Sequence, residues 1–155
     1  MINNLKTQPP RSPKEKYENI VGLPRLFDKL RARANHTVEG ATGSALGEYK
    51  TGEASELDRQ IMIFLGGEGG NLRENFENVF SAVTKDSTDE EIFNMILSAQ
   101  PNLPSDEERI AWSEKMLAMK FIEDPDRTAY AAKLIESMNL DPEITSFDFL
   151  LVGEV

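Results

Sequence analysis

Five ionisable residues crowd one short stretch of this chain, Arg25, Asp28, Lys29, Arg31 and Arg33 within Leu23–Ala34, which reads LPRLFDKLRARA. An arginine fork binds a carboxylate or phosphate through two parallel N–H bonds, and an ammonium adds a point charge. Asp28 stands three residues from both Arg25 and Arg31, close enough to pair with either on a helix. It adjoins Phe27, at the border between an apolar stripe and a cationic face. Asp is a mediocre residue inside a helix. We therefore expect Asp28 to be a buried or half-buried partner of Arg25, Arg31 or Arg59. Glu48, Tyr49, Asp58 and Arg59 come from the loop that follows and from the start of the next helix. If that loop folds back, guanidinium, ammonium, phenol and carboxylate groups converge. The result is either a surface salt-bridge lattice or a pocket for a small anion, and these eight residues are the candidate ligand-binding set.

Other chemistry is missing. The chain has no Cys and a single His, His36. That excludes disulfides, thiolate catalysis and Cys-based zinc sites, together with the His pairs of most zinc enzymes. His36 has no visible nucleophile beside it. Gly66-Gly67-Glu68-Gly69-Gly70 lacks the Lys-Ser/Thr of a phosphate loop and joins two helical patterns. The tracts Asp89-Glu90-Glu91 and Asp106-Glu107-Glu108 open helices, where carboxylates answer the macrodipole without a metal. They are expected to stay solvated, and no metal or cofactor is expected. Trp112 reads as apolar packing between Ile110 and Met116.

The elements that must position these groups are mostly helices. Leu23, Leu26, Phe27, Leu30 and Ala34 recur at the spacing of one helix face, with Pro24 suited to the first turn. Helix starts follow at Ser55, Asn71, Ser87 (with Thr88 as an alternative cap) and Ser105, each a side-chain oxygen with an acid three residues on. Gly66 and Gly67 stop the first of these. A further helix runs from Asp124 to about Met138, with Pro125 in its first turn. The apolar stretch Ile144–Val152 is a docked strand or one helical turn. Lys14–Asn19 is read as a short helical turn. The Gly-rich loop over 36–52 has no helical period, and Gly47-Glu48-Tyr49 is a short strand or a tight turn. Residues 1–14, with Pro9, Pro10 and Pro13, form an extended strap or a polyproline II ligand, the strap being preferred. The fold class is thus all-α or nearly so: a single domain of about six short helices, with any strand confined to residues 44–52 or to the last stretch.

The chain has 155 residues and a formal net charge of −10, enough to bury a core and too acidic for a nucleic-acid binder or a protein drawn to anionic membranes. Residues 1–50 carry nine Lys and Arg against five acids, and the remainder carries eight against twenty-two. The basic segment either packs on the acidic remainder or lines a basic cleft. No secretory leader is read at the N-terminus, and the longest apolar run, Ile61–Leu65, is too short to span a bilayer. A cytoplasmic protein is expected.

Several short pieces resemble a bacterial family catalogued as domain of unknown function 5069: Pro-Pro-Arg-Ser-Pro (9–13), Leu-Pro-Arg-Leu-Phe-Asp-Lys-Leu-Arg-Ala (23–32), Gly-Glu-Tyr (47–49), Leu-Asp-Arg (57–59) and Phe-Leu-Gly (64–66). Ser87–Glu91 and Ser105–Trp112 are similar to the family's later acidic helix start and Trp-bearing helix. The stretch His36–Ala45 is longer than the family's usual link. The resemblance implies a small, mostly helical bacterial protein of unassigned activity, and it directs attention to Arg25, Asp28, Lys29, Arg31, Glu48, Tyr49 and Asp58. Two functions stay open: a non-catalytic binding or interaction protein with a small anionic ligand or a protein partner, or a small enzyme using acid–base or electrostatic catalysis on an anionic metabolite.

Overall fold

Helix α1 spans Leu23–Ala34 and is buried almost all round, with Leu23, Leu26 and Phe27 inaccessible to solvent and Leu30 nearly so. It is the central element of the computed structural model, which describes residues 1–41, 43, 47–67, 70–123, 128–152 and 154. The apolar stripe shares one core with α2 (Glu56–Gly66), α3 (Phe76–Val79), α4 (Asp89–Ala99) and α5 (Asp106–Ala118), which contribute Ile61, Met62, Leu65, Phe76, Ile92, Ile96 and Met116. Each such side chain contributes roughly 1.5–3 kcal/mol by leaving water. Phe64 of α2 stacks on Trp112 of α5 at 4.6 Å between ring centres. Helices α6 (Thr128–Ser137) and α7 (Ser146–Leu151) complete a mostly helical fold with one two-stranded sheet among the described residues. No described helix is long and apolar enough to cross a membrane.

That sheet corrects the expected location of strand structure. It lies before α1, where β1 (Lys16–Tyr17) pairs antiparallel with β2 (Ile20–Val21) in place of the helical turn expected over Lys14–Asn19. Glu18 and Asn19 both have positive φ, the pattern of a two-residue hairpin turn whose twist suits the strands. Tertiary burial decides the matter. Ile20 and Val21 are fully buried, and Ser113 on α5 clamps the hairpin, its Oγ donating to the Asn19 carbonyl (2.7 Å) and accepting from the Val21 N–H (3.1 Å). Gly22 then turns the chain into α1 with φ of 83°, and a Cβ there would meet Leu57 and Ile61 at 3.1–3.2 Å. Only glycine combines that backbone with that approach.

The capping residues Ser55 and Ser105 hold, each accepting from the N–H three residues on. At α4 the cap is Thr88, in a reciprocal box with Glu91, and Ser87 turns inward to bind the Thr84 N–H. The helix expected from Asn71 shrinks to the four residues of α3, with Leu72–Asn75 forming turns before it. The expected start of α6 at Asp124 and Pro125 falls outside the described residues. The apolar last stretch resolves as the short helix α7, capped by Thr145. It joins two cores: Phe147 enters the main one, while Phe149 stacks on Phe121 beside Ala131 and Ile135 of α6.

Candidate functional site

The polar side of α1 is covered as completely as its apolar side. Arg25, Asp28, Lys29 and Arg31 are all buried. Burying a charge is costly unless it is paired and hydrogen-bonded, and here each is. The Asp28 carboxylate accepts from Arg31 Nη2 at 2.6 Å, Arg11 Nη2 at 2.9 Å and the Arg11 backbone N–H at 2.7 Å. Of the expected partners only Arg31 is used; Arg11, reaching over from the Pro-rich N-terminal residues, is the other. Arg31 also donates to the carbonyls of Ile2 and Ser87 and to Asp89 Oδ1 at 3.0 Å. Asp89 opens α4 and binds both Arg11 and Arg31, so four groups from three segments form one lattice.

Lys29 belongs to a second knot. Its Nζ donates to Asp58 Oδ1 (2.8 Å), the Lys50 carbonyl (2.9 Å) and Ser55 Oγ (3.3 Å), while Asp58 Oδ2 accepts from the Gly52 N–H. All three ammonium protons thus have acceptors. Desolvation pulls the Lys29 pKa down, against the attraction of Asp58.

The third knot is Arg25. Its Nη1 and Nη2 grip the two oxygens of Glu154, which lies beyond α7, and Nη1 also donates to the Arg11 carbonyl at 3.3 Å. Tyr49, buried against Leu5, Ala32 and Ala41, donates its hydroxyl to Glu154 Oε1 at 3.2 Å, and its ring sits 5.6 Å from the Arg25 guanidinium carbon. Burial and then the Glu154 charge push the Tyr49 pKa up, so the hydroxyl remains a donor.

The predicted cluster therefore assembles in part. Arg25, Asp28, Lys29, Arg31, Tyr49 and Asp58 lie along one helix face and its cover. Glu48 is exposed and accepts only the Gly40 N–H among its described contacts, because the loop turns it outward while Tyr49 goes in. Arg59 pairs with Glu56 on α2, rotated about 100° round the helix from the inward-facing Asp58. Sequence reasoning missed Arg11, Asp89 and Glu154. Arg11 sits in one of the family-like motifs, and that was its signal. Asp89 was read as a solvated dipole partner; it keeps that position and is drawn inward by two guanidinia. Nothing local distinguishes Glu154.

Beside Arg11 and Asp89 an open cleft of about 580 Å³ is lined by Met1, Tyr17, Arg31 and Glu90 among others. Burial alone would raise the Asp89 carboxyl; the hydrogen bonds from Arg11 and Arg31 outweigh it and hold the group below the usual range. A depressed folded pKa stabilises above the unfolded value near 3.8 and loses that stabilisation as pH falls through the folded one. Asp89→Asn is accordingly expected to cost roughly 1–3 kcal/mol at neutral pH, the scale of hydrogen bonds to charged groups. Urea melts at stepped pH should also show a flatter loss of stability below about pH 4 in the variant than in the parent. Parallel acid limbs would show that Asp89 does not carry the linkage.

A mostly helical protein whose central helix holds a buried lattice of ion pairs is the class that fold and site define. Residues 7–154 match the family described as a domain of unknown function, DUF5069, and the chain belongs to that family. No curated protein and no solved structure matches it.

Proposed function

We propose that this is a cytoplasmic, non-catalytic binding protein that holds a small anion against α1, with Arg25 as the residue that meets it. The supporting observation is the pairing pattern. Arg11, Arg31 and Lys29 are answered by Asp28, Asp58 and Asp89, all on helices of the main core. Arg25 takes its counter-charge from Glu154, beyond the last helix. A buried guanidinium that loses its anion is strongly disfavoured, so whatever frees Glu154 leaves a site demanding another. The cysteine-free composition suits a reducing compartment.

The enzyme alternative, acid–base or electrostatic catalysis on an anionic metabolite, draws on Lys29, since a lysine with a lowered pKa is a common catalytic group. Its three protons are all engaged and it is buried, which favours the binding reading.

Thermal-shift titrations with phosphate, sulfate, acetate and glutarate test the proposal. The expected result is a saturable rise in Tm with at least one anion, absent in Arg25→Met. Identical curves for parent and variant would remove Arg25 from the site.

A further inference from the structure

We infer that the Arg25–Tyr49 seat is a carboxylate-recognition site and that Glu154 is its tethered occupant, displaced when an external carboxylate ligand binds. This rests on the anion-binding reading of Arg25 and adds the ligand class and the means of regulation.

The donor set selects the class. Arg25 offers two Nη groups to two oxygens, Nη2 at 2.5 Å and Nη1 at 3.3 Å, and the Tyr49 hydroxyl supplies a third donor at 3.2 Å. A planar fork facing two oxygens is the geometry of carboxylate recognition. A tetrahedral phosphate or sulfate would bring further oxygens out of the plane of the fork, where the in-plane N–H groups of Arg25 do not point.

The seat is also pre-formed. Arg25 projects from the most buried helix of the fold, and its guanidinium is oriented by the Arg11 carbonyl and the Tyr49 ring. A Cβ at Gly43 would come within 3.0 Å of the Tyr49 hydroxyl, so a glycine at that position leaves the donor room. A rigid, oriented site loses little entropy on binding.

The occupant differs from the seat. Among the described residues, the backbone N–H groups of Val152 and Glu154 bond to the carbonyls of Phe149 and Leu151 of their own helix end, and Leu151 and Val152 are half-buried. Beyond Val152, the Glu154 carboxylate is the described group that ties the chain to α1. Exchange for an external carboxylate conserves both the ion pair and the phenol hydrogen bond. A tethered occupant lowers the apparent affinity of a free ligand by the fraction of time it fills the site, and a short tether supplies an effective concentration of about millimolar.

The test uses the full chain with Glu154→Ala and, as the conservative form, Glu154→Gln, titrated calorimetrically with propionate, glutarate and inorganic phosphate. Expected is an apparent Kd for propionate or glutarate at least about tenfold lower in Glu154→Ala than in the parent, smaller gains in Glu154→Gln, and none when Arg25→Met is added. Equal carboxylate affinities in parent and Glu154→Ala would overturn the tethered occupant while leaving the anion site standing. Tighter phosphate than carboxylate binding would overturn the ligand class. No Arg25-dependent binding in any form would overturn both readings. Should Glu154→Ala fail to fold, N–H NMR spectra of the parent during a propionate titration decide. Displacement moves the Val152 and Glu154 amides toward unstructured positions together with the Arg25 Nε–H, and unmoved amides at saturation would refute it.

Discussion

Asp28→Asn is expected to lower stability by about 3–5 kcal/mol, the cost of removing one partner from a buried ion pair. In a chain of this length that is a fall in Tm on the order of 10 °C. Asp28 has no exposed side-chain surface and serves Arg31 and Arg11 at once, the first of which is itself almost inaccessible. The amide keeps the shape but turns an NH₂ toward guanidinium donors and removes the charge that answers them. The control is Glu39→Gln, on an exposed loop residue, which should move stability by no more than about 0.5 kcal/mol. Chemical denaturation of the two variants beside the parent checks the contrast. Equal silence would mean that the lattice is geometrically complete yet energetically idle.

The second large effect concerns Lys29 and Asp58, whose side chains are 5% and 0% exposed. Lys29→Met leaves a carboxylate facing only the Gly52 N–H and the backbone around it. Asp58→Asn leaves an ammonium with two neutral acceptors. Each single change is expected to cost about 3–5 kcal/mol. The double variant should cost clearly less than the sum, because a neutral pair strands no charge and the Asn carbonyl can still accept from Gly52. A double-mutant cycle measures this. Strict additivity would show that the two groups are stabilised by their backbone partners and not by each other. The comparison also bears on function: a lysine held in a structural ion pair should tolerate joint neutralisation, whereas loss of anion binding in the double variant would extend the Arg25 site along α1.

Much of the helical framework was legible because its signals are local. A stripe at helical spacing fixed α1 over Leu23–Ala34, and a side-chain oxygen followed by an acid marked α2, α4 and α5 to within a residue. The hairpin was not legible. Lys16–Val21 is too short to show an alternation, and Glu18 is an ordinary residue at positive φ; burial of Ile20 and Val21 under Ser113 selects the turn. The long Asn71 helix failed for the complementary reason. Its cap grammar was present, but tertiary packing kept only Phe76–Val79 helical.

The candidate site divides along the same line. The sequence alone placed Arg25, Asp28, Lys29 and Arg31 on one polar helix face, and the border position of Asp28 implied a partner. Periodicity is a property of neighbours in the chain, so one segment suffices to read it. Which groups cover that face was settled by tertiary structure. Arg11 arrives from 17 residues before Asp28, Asp89 reaches Arg31 from 58 residues on, and Glu154 reaches Arg25 across 129. No local pattern encodes these distances. Burial of the α1 apolar face in the core shared with α2 and α4 carries Asp58 and Asp89 of those helices onto its charged side, while the N-terminal residues bring Arg11 and the chain beyond α7 brings Glu154. There desolvation leaves each carboxylate a stronger partner for a guanidinium or ammonium than water or the helix end would be.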